Sequence, residues 1–466
     1  MEETLKGSFW AAQDENLKHF GEINVSTRDK KYEVTIYGSF PLFERQYRDI
    51  NFHDDIPCLY GFTKERGYVT LIGLKIKGAT VTPATGEHSA FRNLHQLSFR
   101  QVITGVRTFE VSSKINRLSV SAQFLSGWTK TDPIRQKLVE EKKDGDGKPS
   151  QIYELYDIDP VSICFEEGRC TFYDYISTQH KFDINNLNIQ QVNCFYFEFD
   201  DDLSIEKLYV FLKRFREFYS MLCGINLGLN TISFRDAEDF TYDYEFDLNI
   251  FNDHYSSIRS RMRIVSLEKM ASGNYLRDFF INYDQFRLPL LYLMDYLNSD
   301  RSDYMGYIQP FVSAMEVIYN KFFRDIDEQA NAINPKLKEI LDKYQFAPKH
   351  RQFLTNAKLA KSYRDLHLKD KLIRLITYSP KLIKLVKDPN VFVQKILDLR
   401  HYLVHEVDKP HTDLSLLNSR IALGQHIVQM KVVIEYHLLL LMGLEQDVVE
   451  EKIDLTMPNF VHFDIR

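Results

Sequence analysis

The sequence predicts an α+β protein in which an N-terminal antiparallel β-rich module, sandwich or barrel-like, is followed by a C-terminal all-α helical bundle. Short runs of alternating side chains dominate the first part, and apolar residues three or four apart dominate after residue 288. A chain of 466 residues is too long for one ordinary core. We expect a β-rich domain, a mixed connecting region, a helical domain and a C-terminal tail, at residues 1–202, 203–287, 288–446 and 447–466 respectively.

The predicted strands lie in the first two hundred or so residues. Residues 32–37, 68–76 and 191–199 are rich in β-branched and aromatic side chains, and the last run has an aromatic residue at every second position from Phe195. Many short strands at this spacing favour an antiparallel sandwich or barrel. The charged segment 142–149 contains two Gly and one Pro and is predicted to be a loop. It lacks the acidic spacing of a calcium loop, so no calcium site is expected there.

After residue 202 the apolar period changes. Residues 203–222 have the spacing of an amphipathic helix. The aromatic and acidic alternation of residues 234–251 predicts a strand pair at the edge of the β-rich module. Residues 457–463 are predicted to form an extended tail. Further helices are predicted at residues 288–297, 304–323, 332–344, 354–366, 370–377, 391–407 and 414–444.

Composition favours a reduced, cytoplasmic protein. The five cysteines show no Cys-x-x-Cys spacing, so neither a zinc site nor a disulfide framework is expected. The first residues are acidic rather than basic and then apolar, unlike a signal peptide. No apolar run approaches the roughly 20 residues of a membrane-spanning helix. We therefore expect no membrane association and no metal or other cofactor.

Charge is segregated along the chain. The net charge of −6 argues against a general nucleic-acid coat protein. Residues 349–388 contain eleven Lys or Arg and three Asp, a net charge of +8. Residues 195–253 contain five basic and thirteen acidic residues, a net charge of −8. The basic segment is either a solvated face or an RNA contact. The acidic stretch, which includes the Asp run at residues 200–202, is either a plain surface or a mask that docks on the basic segment at rest.

One short motif in the helical part suits phosphodiester cleavage. Arg400, His401 and His405 lie near the end of an apolar helical segment. Arginine keeps its charge and binds phosphate oxygens, whereas histidine titrates near neutral pH. In RNA the ribose 2′-hydroxyl is an internal nucleophile beside the scissile phosphate. His405 could act as general base, His401 as acid or phosphate contact, and Arg400 as the stabiliser of developing charge.

The spacing of the motif poses a geometric problem. A residue five positions along an ideal helix is rotated by about 140°. Arg400 and His405 therefore need either local unwinding near the helix end or a second copy of the chain that pools residues across a two-fold axis. His401 and His405, four apart, share a face. Glu316, in an otherwise apolar helix, either neutralises and orients Arg400 from a facing helix or lies at a solvated rim.

A helical bundle that carries Arg, a polar residue and then His resembles the HEPN superfamily, in which four to six residues follow the Arg before the His. Arg400, His401 and His405 match this pattern without a gap. The N-terminal half is similar to the opening of the N-terminal domain of ApeA-like anti-phage proteins. That similarity lies in Gly-Ser-Phe-Trp at residues 7–10 and in the segments 57–63 and 67–71.

The resemblance implies a metal-independent endoribonuclease toxin of abortive infection that cleaves tRNA or another structured RNA. It also implies a homodimer or higher homo-oligomer, and an N-terminal module that restrains the nuclease or senses a phage protein. A non-catalytic module that binds RNA or protein and dimerises is the alternative. A phosphate-loop enzyme is excluded because no Gly-x4-Gly-Lys-Ser/Thr run is present.

Overall fold

A computed structural model describes most of the chain and divides it into two compact units. The first comprises Met1–Tyr219, Leu227–Ser260 and Ser266–Asn274, and the second comprises Ser220–Asn226, Arg261–Val265 and Tyr275–Arg466. The connecting region predicted at 203–287 is thus shared between them. The residues described are 2–11, 15–26, 31–38, 40, 56–81, 93–122, 134–138, 151–155, 161–165, 168–180, 187–224, 227–246, 273–298, 303–324, 343–344, 348–349, 367–405 and 413–456.

The first unit is built on antiparallel strands, as the sequence predicts. All of its described strand pairs are antiparallel. The strands are β1 (Glu2–Ala11), β2 (His19–Ser26), β3 (Lys31–Tyr37), β4 (Ile56–Thr63), β5 (Gly67–Val81), β6 (Asn93–Ser98), β7 (Gln101–Gly105), β8 (Ile115–Ala122), β9 (Ile134–Leu138), β10 (Gln151–Leu155), β11 (Val161–Phe165), β12 (Gly168–His180), β13 (Leu187–Leu203), β14 (Leu229–Asp236) and β15 (Thr241–Phe246).

Strand β5 closes a barrel and also begins an open sheet. One edge of β5 pairs with β4, and the other pairs with β7 through its first half and with β6 through its second half. The order β4-β1-β2-β3-β6-β5 therefore closes on itself, and β7-β15-β14-β8-β13-β12-β11 continues as a sheet. Closure removes unpaired strand edges. The barrel interior is filled by buried apolar side chains, among them Leu5, Phe9, Ile23, Val34, Leu71 and Leu97.

The predicted strand pair within 234–251 forms, but its predicted edge position is wrong. Strands β14 and β15 lie inside the sheet, between β8 and β7. Tyr242 and Tyr244 are each 1% exposed. An alternating pattern shows that one face of a strand is packed, but it does not show whether both edges are paired.

The helix predicted at 203–222 is present as α1 (Ile205–Cys223). Its aromatic residues pack edge-on against the aromatic face of β13. Phe211 lies 4.9 Å from Phe197, and Phe215 lies 5.1 Å from Phe195, between ring centroids. Such tilted pairs combine apolar burial with favourable ring electrostatics. The period-2 pattern of β13 and the helical pattern of α1 therefore describe two halves of one interface.

The second unit is helical, which confirms the predicted fold class. Its helix α2 begins at Tyr275, earlier than predicted, and the predicted helix at 354–366, nearly all of that at 332–344, the loop at 142–149 and the tail at 457–463 lie outside the described residues. No described helix has the length and apolar character needed to cross a bilayer. The described helices are α2 (Tyr275–Asn298), α3 (Ile308–Phe322), α4 (Leu368–Ile376), α5 (Pro380–Val386), α6 (Pro389–His405), α7 (Arg420–Leu441) and α8 (Gln446–Thr456).

Helix α5 was not predicted, although the sequence carries its start signal. Ser379 accepts a hydrogen bond from the backbone N–H of Lys381, and Pro380 occupies the first turn. A serine cap followed by proline is a typical helix start. Helix α8 was not predicted either, and it occupies the first part of the segment 447–466 that was assigned to a C-terminal tail. The short length of α5 left too few periods for an apolar pattern to be recognised.

Three of the described cysteines lie buried or half-buried in the first unit. Cys58, Cys170 and Cys194 form no disulfide bond. Burial raises the pKa of all three thiols above the usual value. A raised pKa keeps a thiol protonated and unreactive near neutral pH. These cysteines therefore pack as small apolar residues.

Candidate active site on helix α6

Helix α6 carries the Arg-x4-His motif in its last turns. Its start is capped by Asp388, whose Oδ1 accepts hydrogen bonds from the backbone N–H groups of Asn390 and Val391 at 2.9 and 3.1 Å. Buried residues on one side, including Phe392 and Ile396, hold the helix in the core. Capping and burial together fix the direction in which the motif projects.

The helix remains α-helical from Arg400 to His405. The local unwinding that the sequence allowed is absent between these two residues. At 1.5 Å and 100° per residue, their positions differ by about 7.5 Å along the axis and about 140° around it. A single helix therefore presents Arg400 and His405 on different faces.

Arg400 is half-buried and is held from helix α3. Its Nε donates a hydrogen bond of 2.5 Å to Oε1 of Gln309. The Nε2 of Gln309 in turn donates to Oγ of Ser313 at 3.3 Å. Within the described residues this leaves both terminal nitrogens of the guanidinium without a hydrogen-bond partner. Those two nitrogens form the edge that binds carboxylate or phosphate oxygens in pairs.

Of the two roles that the sequence left open for Glu316, a contact to Arg400 is wrong, and the side chain is 37% exposed. Its Oε1 lies 3.3 Å from Nζ of Lys371, and the Lys371 side chain is only 12% exposed. Gln309, Ser313 and Glu316 follow one another along one face of α3. The first of them meets α6, and the last meets α4. Glu316, two helical turns after Gln309 on α3, therefore neutralises Lys371. The amide of Gln309 orients Arg400.

The structure describes the two histidines of the motif to different extents. His401 is half-buried on α6. His405 is the last residue of the helix, and its side chain lies outside the described part of the structure. Tyr402 is also half-buried, and Val404 is 51% exposed. The three predicted site residues thus share one helix. Of their positions on it, only His401 and His405, four residues apart, lie on a common face.

A polar network that sequence reasoning missed borders the motif. Gln394 accepts a hydrogen bond from Lys369 at 3.0 Å and donates to Asp398 at 2.8 Å. Asp398 also accepts the backbone N–H of Asp413 at 3.0 Å. Hydrogen bonds from Ser415 lower the pKa of Asp413, which keeps that carboxylate ionised. The polar residues four apart on α6 were a readable signal, but their partners come from distant segments.

The basic segment at 349–388 is not uniformly available to RNA. Lys369 and Lys371 use their ammonium groups within the helical unit, on Gln394 and Glu316. Lys349, Lys384 and Lys387 are exposed. The net charge of +8 therefore overstates the number of cations that a ligand could reach.

Arginines from outside the acidic stretch neutralise several of its carboxylates within the first unit. Arg107 lies 3.1 Å from Asp236 and 2.7 Å from Glu238. Arg169 lies 3.0 Å from Glu198. The aspartates at 200–202 are exposed. Charge counting along the sequence thus exaggerates the acidic character of this surface as well.

No group of three or more His, Cys, Asp or Glu side chains suited to a metal ion occurs among the residues that the structure describes.

Comparison with known protein families agrees with this architecture. Residues 4–268 match the model of ApeA N-terminal domain 1. The chain belongs to the ApeA-like family. Residues 310–448 of this ApeA-like protein also match the Apea-like HEPN model. The matched segment runs from α3 into α8 and includes the whole motif on α6. No curated protein and no solved structure gives a significant match.

The two family matches confirm the resemblance on which the sequence analysis relied. The first covers the strands through β15 together with α1, and the second covers most of the helical unit. The ApeA-like N-terminal domain therefore includes the helix and strand pair that were assigned to a connecting region. Gln309, which holds Arg400, lies just before the HEPN match begins.

Proposed function

We propose that this ApeA-like protein is a metal-independent HEPN endoribonuclease that acts as a toxin in abortive anti-phage defence. Its substrate is tRNA or another structured cellular RNA. Arg400, His401 and His405 are the proposed catalytic residues. The proposal rests on membership of the HEPN family and on one observation: among the described residues, the guanidinium of Arg400 is held through Nε only.

The geometry of Arg400 suits a phosphate rather than a structural ion pair. A buried or half-buried arginine that only stabilises a fold is normally paired with a carboxylate. The described residues instead supply a neutral amide at Nε, so no carboxylate among them pairs with the guanidinium. Two parallel N–H donors remain for the non-bridging oxygens of a phosphodiester. These donors would stabilise charge that accumulates on phosphorus oxygens in the transition state.

The proposed reaction is an internal transesterification. The ribose 2′-oxygen attacks the adjacent phosphorus while a histidine removes the 2′-proton. The bond from phosphorus to the 5′-oxygen breaks, and a second histidine returns a proton to that oxygen. The products are a 2′,3′-cyclic phosphate and a 5′-hydroxyl. His405 is proposed as the base, and His401 is proposed as the acid or as a phosphate contact.

A second copy of the chain would resolve the mismatch between the faces of α6. Because α6 stays helical through His405, the backbone of one motif starts Arg400 and His405 from faces about 140° apart. Two motifs across a two-fold axis can supply Arg from one subunit and His from the other. We therefore propose a homodimer with the site at its axis.

Alanine substitution tests the catalytic assignment. We expect Arg400→Ala, His401→Ala and His405→Ala each to lower RNA cleavage by about 100-fold or more, because each removes a proton carrier or a charge stabiliser. Cleavage of total cellular RNA by the purified full-length chain, with end mapping, is the measurement. A 2′,3′-cyclic phosphate end and activity that persists in EDTA are the expected results.

A matched control tests whether the loss of any exposed cation lowers cleavage. Arg287→Ala removes one exposed cation from α2 of the same unit and should cleave like the wild type. Host growth with and without phage gives the readout in cells. Growth arrest that persists in His405→Ala would instead support a non-catalytic module that binds and sequesters RNA or protein.

A further inference from the structure

We propose that Gln309 is a positioning residue of the nuclease, with Ser313 as its support, and that it aims Arg400 at phosphate without neutralising it. This inference rests on the proposed ribonuclease function and adds two residues to it. Neither belongs to the Arg-x4-His motif, and both lie on helix α3.

Hydrogen-bond chemistry fixes which way the Gln309 amide faces. The Nε of Arg400 is a donor without acceptor capacity, so it must meet the amide oxygen. The amide nitrogen of Gln309 then points along α3 and donates to Ser313 Oγ at 3.3 Å. Each of the three groups therefore has one orientation that satisfies its partner. This short relay fixes the direction of the Nε–H bond, which lies in the plane of the guanidinium.

The electrical neutrality of Gln309 is the second part of the inference. Glutamate has the same shape and accepts a stronger hydrogen bond, so a purely structural anchor would favour a carboxylate. The carboxylate on this face of α3 is Glu316, and it is paired with Lys371 at 3.3 Å. In the described part of the chain, Arg400 therefore meets an acceptor but no anion. An anionic substrate gains most from a cation that is oriented but not compensated.

Two substitutions at Gln309 separate orientation from charge. Gln309→Glu keeps the shape and the acceptor but adds a negative charge beside the guanidinium. We expect it to fold normally and to lose about 100-fold in kcat/KM. The slope of log binding constant against log salt concentration for RNA should shrink by about one released counterion. Gln309→Ala frees Arg400 but leaves its charge, so kcat should fall about 10-fold with an unchanged salt slope. Ser313→Ala should produce a smaller loss in kcat of about 3-fold, because Gln309 itself remains.

The matched control is Gln285→Glu. Gln285 is exposed on α2 of the same unit, where its amide donates to Asn282. This variant adds the same charge to the same unit, so it should cleave and bind RNA like the wild type. Thermal unfolding of all variants reports whether a loss of activity reflects a loss of fold.

The outcomes distinguish this inference from the proposed function. If the wild type and Gln285→Glu cleave RNA and Gln309→Glu cleaves equally well, the positioning role is wrong and the nuclease assignment stands. Equal losses in the Ala and Glu variants, with unchanged salt slopes and lower thermal stability, would reduce Gln309 to a structural contact. If the wild type binds RNA but does not cleave it, the nuclease proposal fails, and the salt slope of Gln309→Glu alone decides whether Gln309 preserves the charge of Arg400. If it neither cleaves nor binds RNA, both proposals fail.

Discussion

At the scale of single residues, burial gives His437 a role opposite to that proposed for the motif histidines. His437 is 1% exposed on α7, and its Nε2–H donates to the backbone oxygen of Leu375 at 3.0 Å. The rings of Phe323, Tyr378 and Tyr436 surround the imidazole at 5.2–5.6 Å. Burial lowers its pKa to about 4. His437 is therefore a neutral core residue that holds α7 against α4.

The lowered pKa of His437 predicts acid sensitivity of the helical unit. Between the ordinary histidine pKa of 6.5 and the folded value of about 4, the unfolded chain binds a proton that the folded chain refuses. The free energy of unfolding should therefore fall as pH drops through this window, by about 3 kcal/mol in total from this group. His437→Gln keeps an N–H donor but does not titrate. Urea unfolding at pH 7.5 and pH 5 should show a smaller loss in this variant, and an equal loss in both proteins would contradict the assignment.

At the scale of elements, closure of the barrel requires strands to approach closely at Gly7. A Cβ on Gly7 of β1 would lie 2.2 Å from the backbone oxygen of Phe62 on β4. A backbone atom held in a ladder cannot move aside as a flexible side chain can. The glycine in the Gly-Ser-Phe-Trp segment is therefore a packing requirement of the β1–β4 pair. The family resemblance seen at residues 7–10 coincides with a steric constraint.

A pair of glycine substitutions tests this constraint. Gly7→Ala should lower the free energy of unfolding of the first unit by about 2 kcal/mol or more, because the added methyl group overlaps the Phe62 carbonyl. Gly78→Ala in β5 is the matched control, since nothing lies within 4 Å of its added Cβ. We expect the control to be neutral or slightly stabilising. Equal thermal midpoints for the two variants would show that the strands separate at little cost.

At the scale of the whole molecule, the proposed function requires a second subunit to complete the active site. Arg400 and His405 lie on one regular helix at positions rotated by about 140°. Activity should therefore depend on association of two chains.

Mixed dimers test shared sites. Arg400→Ala and His405→Ala chains, each inactive alone, are co-expressed, purified and assayed for RNA cleavage. If Arg400 of one subunit works with His405 of the other, each mixed dimer keeps one complete pair, and equal amounts of the two chains should restore about a quarter of the wild-type activity. No recovery in the mixture would indicate that each site takes both residues from one subunit. Mixing wild-type with Arg287→Ala chains should leave the specific activity unchanged and serves as the control.

The amino-acid sequence alone was sufficient for the local and chemical features of this protein. Alternating aromatics predicted β13, three- and four-residue spacing predicted α1 and α6, and the motif on α6 indicated the HEPN resemblance. These features depend on residues that are neighbours along the chain, so their periods survive in the sequence. The N-cap of α5 is an equally local signal, but the helix has only 7 residues, too few for a helical period to be evident.

Only the tertiary structure showed which distant residues meet. The sequence offered Glu316 as the partner of Arg400, whereas the packing of α3 against α6 and α4 brings Gln309 to Arg400 and gives Glu316 to Lys371. Barrel closure through β5 and the interior position of β14 and β15 are likewise pairings between segments far apart in the chain. A residue type and its spacing define a face, but the neighbour of that face depends on how whole helices and strands pack.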